Sequence, residues 1–472
     1  MNIKKAAKFS VGPIGDGLIG LVTLPMVTWF FSVEDIGRLT MLHLVVSFSL
    51  LLFSLGLDQA YVREFHEVID KPSLLITVLL PGVAVLSLVL LTLMLTPLSM
   101  SNLLFGLESK LITILLILAI FLAFLSRYLG LVLRMQERGI AFSMSQVLPK
   151  IFFIIILGIF VIFLFSPTFT NLILATVFSQ AIVFVIFVWN TRIEWIAALN
   201  ARIDKEKLIY MMRYSFPFIG GGLAFWGLIA MDKIFLRAMS SLEELGVYSV
   251  AVKFAGAALI FQSIFSTIWA PTIYKWVAEG VEDARIKNVI DYTALVVLVL
   301  WSLAGMFSWV ITYILPPKYE QVHNIMLAAM AYPLLYTLSE ATGVGIGIKR
   351  KTVYSMLAAV GALIVNILGN YLLIPKFGAA GAAISSAIAF MVFFIARTEA
   401  SSKLWKSFDR VSLYSLILSG LLISIMANMG GMFLSFGAIM WFLLLAFSLF
   451  VYRKNCRGVY EFFHEQMRDN YK

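Results

Sequence analysis

Apolar residues fall in long runs separated by short polar segments. Most runs reach the about 20 residues that a helix needs to cross the hydrocarbon core of a bilayer. In chain order they predict fourteen spans, at 10–31, 39–57, 74–96, 111–131, 141–165, 168–189, 214–238, 245–272, 290–314, 323–348, 353–373, 378–397, 411–429 and 432–452. The connections after Phe165 and after Ala427 are very short, so those pairs are drawn close to the minimum. The expected fold is an all-α integral membrane protein.

The polar interruptions give the pattern a direction. With the N-terminus inside, 29 of the 36 Lys and Arg residues fall on the inner side. Only Arg38, Lys110, Lys318 and Lys376 fall outside, and Lys233, Arg237 and Lys253 lie within spans. Cytoplasmic segments of membrane proteins carry such an excess, so both termini are expected in the cytoplasm. The bias also supports the count, because one missed helix would invert it downstream. Composition agrees: 61% of residues are hydrophobic, 13% are charged and the mean hydropathy is +0.95. Soluble chains run at about 45–50% apolar and about 25% charged. A net charge of +10 would bring nucleic acid to mind in a soluble protein. Here topology accounts for the basic residues, and no nucleic-acid partner is expected.

Lys4, Lys5 and Lys8 precede an apolar stretch as in a signal peptide. No small-residue cleavage site follows, so the segment reads as an uncleaved first helix. The single cysteine, Cys456, excludes an internal disulfide or a cysteine-based metal site. The four histidines (His43, His66, His323 and His464) show no metal-binding spacing, and there is no phosphate-binding loop. Neither a metal, a cofactor nor direct use of ATP is expected.

The first twelve spans divide into two sixes at the long inner connection from Asn190 to Arg213, and the halves echo each other. Ser32-Val-Glu-Asp-Ile-Gly37 follows the first span and Ser241-Leu-Glu-Glu-Leu-Gly246 the seventh, an offset of 209. Tyr61-Val-Arg63 with Glu67 matches Ile273-Tyr-Lys275 with Glu279, and Ala141-Phe-Ser-Met144 matches Val353-Tyr-Ser-Met356, both offset by 212. Six is even, so both halves enter from the same side and form a parallel repeat. Transporters of this kind hold substrate between the halves and rock them for alternating access. The expected organisation is an N-lobe over 1–190, a cytoplasmic linker over 191–213, a C-lobe over 214–397, and two further helices with a cytoplasmic tail over 398–472.

Four stretches carry a family resemblance. Gly343-Val-Gly-Ile-Gly-Ile-Lys-Arg-Lys351, Asn366-x-x-x-Asn370 and Leu373-Ile-Pro-Lys-Phe-Gly-Ala-Ala-Gly-Ala-Ala383 resemble bacterial polysaccharide exporters and O-antigen flippases. Gly56-Leu-Asp-Gln-Ala-Tyr-Val-Arg-Glu64 fits the same group. These proteins belong to the multidrug/oligosaccharidyl-lipid/polysaccharide export superfamily. The resemblance implies a flippase of the bacterial inner membrane. Its cargo would be an undecaprenyl-diphosphate-linked oligosaccharide, carried from the inner to the outer leaflet with a proton or sodium gradient as drive. It also implies membrane lipids, a polysaccharide polymerase and a chain-length regulator as partners. A cation-coupled drug antiporter of the same superfamily is the nearest rival. A membrane polymerase or ligase fits less well. The largest outer segment, Pro97 to Lys110, has Glu108 as its only acid, which leaves little to hold catalytic groups.

Charged side chains inside spans are costly and mark candidate sites. Asp16 and Glu340 lie at similar inner depth in opposite halves and are the candidates for ion coupling; packing beside Gly12, Gly15 and Gly17 is the plainer alternative for Asp16. Lys253 lies about 12 Å, and Asp232 about 9 Å, below the outer surface at 1.5 Å per helical residue. They would either pair, or Lys253 would meet a substrate diphosphate. Lys150, after Pro149, lines a cavity if its helix starts at Ala141 and is an inner-loop charge otherwise. Arg127 would receive a phosphate or anchor the inner helix end. Lys233 and Arg237 read as snorkelling residues, Arg63 and Lys275 as anchors, and Asn366 and Asn370 as a join between helices. Aromatic residues, 14% of the chain, would serve sugar stacking or interfacial belts.

Overall fold

The structure is a computed structural model that describes residues 3–96, 99–164, 167–280, 283–408, 410–430, 433–453 and 455. Cys456, Lys454, Arg457, Arg468, Lys472, Pro97 and Phe165 lie outside the described residues. Every regular element among the described residues is a helix.

The chain forms two compact units. The first comprises Met1–Lys233 and Ser241–Ser249, the second Ile234–Ser240 and Val250–Lys472. The first holds α1 (Ile3–Phe30), α2 (Val33–Phe53), α3 (Leu57–Glu64), α4 (Lys71–Leu95), α5 (Met100–Phe105), α6 (Lys110–Met135), α7 (Gly139–Leu164), α8 (Phe169–Asn190) and α9 (Arg192–Leu199). It also takes most of α10 (Lys205–Met239) and the start of α11 (Leu242–Ala255). The second takes the rest of α11, then α12 (Ala258–Ala278), α13 (Asp283–Met306), α14 (Ile311–Ile314), α15 (Val322–Ala329), α16 (Ala331–Thr342), α17 (Val344–Ile348), α18 (Val353–Leu404), α19 (Val411–Met429) and α20 (Phe433–Val451).

Local chemistry sets several helix starts. Ser32 caps α2 by accepting from the Asp35 amide at 3.1 Å, and Ser241 does the same for α11 with the Glu244 amide at 3.1 Å. Acidic residues follow in both first turns, where the helix dipole favours them. The repeated sequence thus makes the same cap twice. Asp70 caps α4, and Pro72 in its first turn has no amide to leave unpaired.

Among the described residues, eight helices are long and apolar enough to cross a membrane, or nine if the bent pair α11–α12 is one span. The chain is a multi-pass, all-helical membrane protein. The difference from the fourteen expected spans has identifiable causes. The span predicted at 323–348 is broken into α15, α16 and α17. Pro333 lacks an amide and its ring crowds the Ala329 carbonyl four residues back, so the bond that would continue the ladder at the end of α15 is missing. The span predicted at 245–272 bends by 48° between α11 and α12.

The two spans predicted at 353–373 and 378–397 fall in one element, α18, with a break at Gly378 (φ 51°, ψ −126°). Its two arms run back along each other. Ser385 Oγ donates to the Asn366 carbonyl at 2.9 Å, and Asn366 Nδ2 donates to Ser386 Oγ at 3.3 Å. Residues 19 apart on a straight helix stand about 28 Å apart, so these bonds require a reversal. Asn366 and Asn370 are both fully buried, and Asn370 Nδ2 donates to Asn366 Oδ1 at 3.1 Å.

The start of α2 meets the start of α11 within the first unit, backbone against backbone. A Cβ on Gly37 would stand 2.0 Å from the Leu242 carbonyl oxygen, and one on Gly246 would stand 2.1 Å from that of Val33. Neither position has room for a side chain. Gly37→Val is expected to lower the thermal midpoint of the purified protein by several degrees, since overpacking costs about 1–3 kcal/mol even where side chains can yield. Scanning fluorimetry checks this, and an unchanged midpoint would contradict the contact.

Candidate functional site

In the first unit, α1 and α7 pack closely along their length. α7 begins at Gly139, so Lys150 stands about three turns inside it, directly after Pro149. Of the two readings of Lys150, the embedded one matches this helix. Its ammonium donates to Asp16 Oδ1 at 2.7 Å and to the Asp16 carbonyl at 2.6 Å. Space for it comes from Gly20, one turn further along α1, where a Cβ would stand 2.9 Å from Nζ. The Lys150 and Asp16 side chains are 34% and 41% exposed, so the pair is partly covered yet reachable from outside the protein. Sequence reasoning named both residues but gave them separate tasks. The structure joins them.

Arg127, on α6, donates through Nη2 to Asp58 Oδ2 at 2.9 Å. Asp58 lies on α3, in the Gly56–Glu64 stretch that carried part of the family resemblance, and it had been assigned no role. It also accepts from the Gln59 amide and side chain. Asp232, on α10, is 1% exposed and accepts a hydrogen bond from the Tyr248 hydroxyl. A buried carboxylate needs such donors, and Tyr248, sixteen residues away on the next helix, carried no signal for it in the sequence.

In the second unit, Lys253 is exposed and lies three residues before Gly256, where α11 gives way to α12. The helix ladder is disturbed there, with Ala257 bonding back to the Phe254 carbonyl in a tighter turn. Non-helical backbone at membrane depth is tolerated only where protein or water satisfies it.

Glu340, on α16, accepts from donors on α12 and on its own helix. Ser266 on α12 donates to its carboxylate, and the Tyr336 hydroxyl one turn back on α16 also bonds it. Trp269 Nε1 donates to the Glu340 carbonyl at 3.2 Å. The Arg397 guanidinium, on the second arm of α18, lies near enough for its charge to act on Glu340. It donates to Ser339 Oγ at 2.8 Å and lies 5.3 Å from the centre of the Phe393 ring. Its Nε is buried without a hydrogen-bond partner. The sequence places Arg397 among the inner basic residues at a helix end and carries no signal of its place beside Glu340, because it is 57 positions away and only packing brings it there.

No group of three or more potential metal ligands occurs among the described residues. The arrangement offers acid–base pairs embedded in apolar helices, which can exchange a proton or an anionic guest.

The family whose description is polysaccharide biosynthesis protein matches residues 3–277. The curated proteins hold no match to the chain. Among solved structures, "Lipid II flippase MurJ, inward closed conformation" has a TM-score of 0.66 at 13% identity, covering 94% of this chain and 97% of that one. "Inward-facing conformation of a multidrug resistance MATE family transporter of the MOP superfamily" has a TM-score of 0.59 at 14% identity, covering 85% and 96%. "Crystal structure of MATE in the bent conformation" reaches 0.53 at 14% identity, covering 85% and 95%. At these identities the likeness establishes the fold.

Proposed function

The chain belongs to the polysaccharide biosynthesis protein family and has the fold of multidrug/oligosaccharidyl-lipid/polysaccharide export superfamily transporters, and from that premise we propose that it is a flippase for an undecaprenyl-diphosphate-linked oligosaccharide. It carries a surface-polysaccharide unit such as that of O-antigen from the cytoplasmic to the periplasmic leaflet of a bacterial inner membrane, by alternating access. A proton or sodium gradient drives it. The proposal includes fourteen crossings with both termini in the cytoplasm, a six-plus-six repeat, and a polymerase and chain-length regulator as downstream partners.

The observation that carries this reading is the Asp16–Lys150 pair. A polyprenyl tail can stay in lipid during transfer, but a diphosphate cannot cross hydrocarbon unless cations replace its lost hydration. Lys150 is such a cation, and Asp16 holds it until something displaces the carboxylate. Protonation of Asp16 removes its charge and releases the ammonium to a phosphate oxygen. Deprotonation restores the pair and expels the anion. One ion step and one substrate step are thereby linked through two side chains. Arg127, Lys253 and Asp232 extend the substrate path in this reading, and Glu340 carries a second proton position.

Transport of labelled lipid-linked oligosaccharide in proteoliposomes tests the proposal. Delivery to the far leaflet that collapses when the gradient is dissipated supports it. Gradient-driven movement of organic cations, with the glycolipid left in place, would favour the antiporter reading instead. Deleting the gene is expected to leave the lipid-linked glycan on the inner leaflet and strip the polysaccharide from the surface; an unchanged surface would reject the assignment.

A further inference from the structure

A cavity of about 300 Å³ opens in the second unit where α13 begins, α16 hands over to α17, and α18 ends. Its polar rim carries Lys287 and Lys406, both exposed. Its walls are apolar and aromatic: Ile290, Val344, Trp405 and Phe408. Ile290 belongs to a buried cluster with Trp269, Ile273 and Ile286, and Val344, Trp405 and Phe408 pack against it. The floor is therefore part of the core rather than a surface dimple.

This end of the second unit is strongly basic. Lys275 lies in the last turn of α12, Arg285 in the first turn of α13, Lys403 in the last turn of α18, and Arg410 just before α19. Of the nearby described acids, two are engaged by other residues, and Asp291, one turn along α13, lies near enough to act on the Lys287 charge. Glu399 accepts from Arg410 at 2.6 and 2.8 Å, and Glu279 stands 3.7 Å from Lys275. A guest that fits must offer a negative head to two ammonium groups and an apolar portion to the aromatic wall. At a helix end, with a tryptophan at the mouth, that guest comes from the membrane interface.

We propose that this cavity binds the phosphate headgroup of an anionic phospholipid, with the glycerol and first acyl carbons against Trp405 and Phe408. Its volume is at the small end of ligand pockets, which suits a headgroup and not a whole lipid. The site shares no residue with the Asp16–Lys150 pair or with the Glu340 cluster. It therefore stands or falls independently of the transported substrate. A bound lipid there would tie α13, α17 and the end of α18 together and make activity depend on membrane composition.

Native mass spectrometry of the purified full-length chain tests it with dioleoylphosphatidylglycerol and dioleoylphosphatidylcholine. The wild-type protein is expected to retain one phosphatidylglycerol at about tenfold lower concentration than phosphatidylcholine. Lys287→Gln with Lys406→Gln is expected to weaken phosphatidylglycerol about tenfold and leave phosphatidylcholine unchanged. Lys275→Gln with Lys403→Gln, which removes equal charge from the same end outside the cavity, is expected to change neither. Equal retention of the two lipids by the wild type, or equal loss in both double variants, would overturn the site. Displacement of the lipid by glycerol 3-phosphate at matching concentration would overturn the membrane lipid as its occupant.

Discussion

Lys150→Ala is expected to cut translocation of lipid-linked oligosaccharide by about ten- to a hundredfold while the protein still inserts and folds. The magnitude follows from the loss of one charge-assisted hydrogen bond to a phosphate, worth about 1.5–3 kcal/mol, at about 1.4 kcal/mol per tenfold. Folding is spared because Asp16, left alone, faces the water of the proposed cleft. Asp16→Asn should act differently. It leaves the ammonium permanently available, so substrate binds but is not released by deprotonation, and turnover falls with binding intact. Exchanging the pair, Asp16→Lys with Lys150→Asp, restores an ion pair of the same length. It should recover thermal stability without recovering transport, since each charge now sits on the wrong helix. Proteoliposome uptake beside fluorimetric melting separates these outcomes. Wild-type transport in both single variants would remove the pair from the mechanism.

Glu340→Ala is expected to have the larger effect on the fold. The Arg397 guanidinium, already carrying one buried unpaired nitrogen, would lose the nearby negative charge, and Ser266 and Tyr336 would lose their acceptor. Both charged residues are partly buried, so the cost stays below the about 3–5 kcal/mol of breaking a fully buried pair, yet lowers the amount of folded protein. Glu340→Gln keeps an acceptor for Ser266 and Tyr336 and changes only the ability to ionise. It should fold well and fail in gradient-driven transport, while downhill exchange across the membrane persists. Gradient dependence equal to that of the wild type in Glu340→Gln would exclude Glu340 from coupling.

The contrast between these two sites shows what the sequence could convey. Hydropathy runs located the helices, because a span advertises itself by length and apolarity alone. Apolarity does not report continuity. Pro333 and the Gly256–Ala257 step break the ladder inside runs that look uniform, whereas at Gly378 the chain reverses between the stretches 353–373 and 378–397. Embedded charges were visible for a similar reason: Asp16, Lys150 and Glu340 are conspicuous in apolar surroundings. Their partners were not. Lys150 is 134 residues from Asp16, and Arg127 is 69 from Asp58. The relative register of two packed helices depends on how their side chains interlock, and no periodicity within either one encodes it. Ser266 was invisible for another reason, since a serine hydroxyl in a helix can satisfy itself on the preceding turn, and Tyr248 because its partner Asp232 lies sixteen residues away on another helix.

Gly37 and Gly246 occupy matching places in the echoing segments Ser32–Gly37 and Ser241–Gly246, and each uses the emptiness of its own position to admit the other helix's backbone. Duplicated sequences normally drift apart, because a change in one copy is judged on its own. Here a substitution in either copy is paid for by the other, and no second substitution in the partner can make room, since what stands in the way is main chain. The two positions thus inherit as a single trait, and they should stay glycine long after the surrounding halves have ceased to look alike.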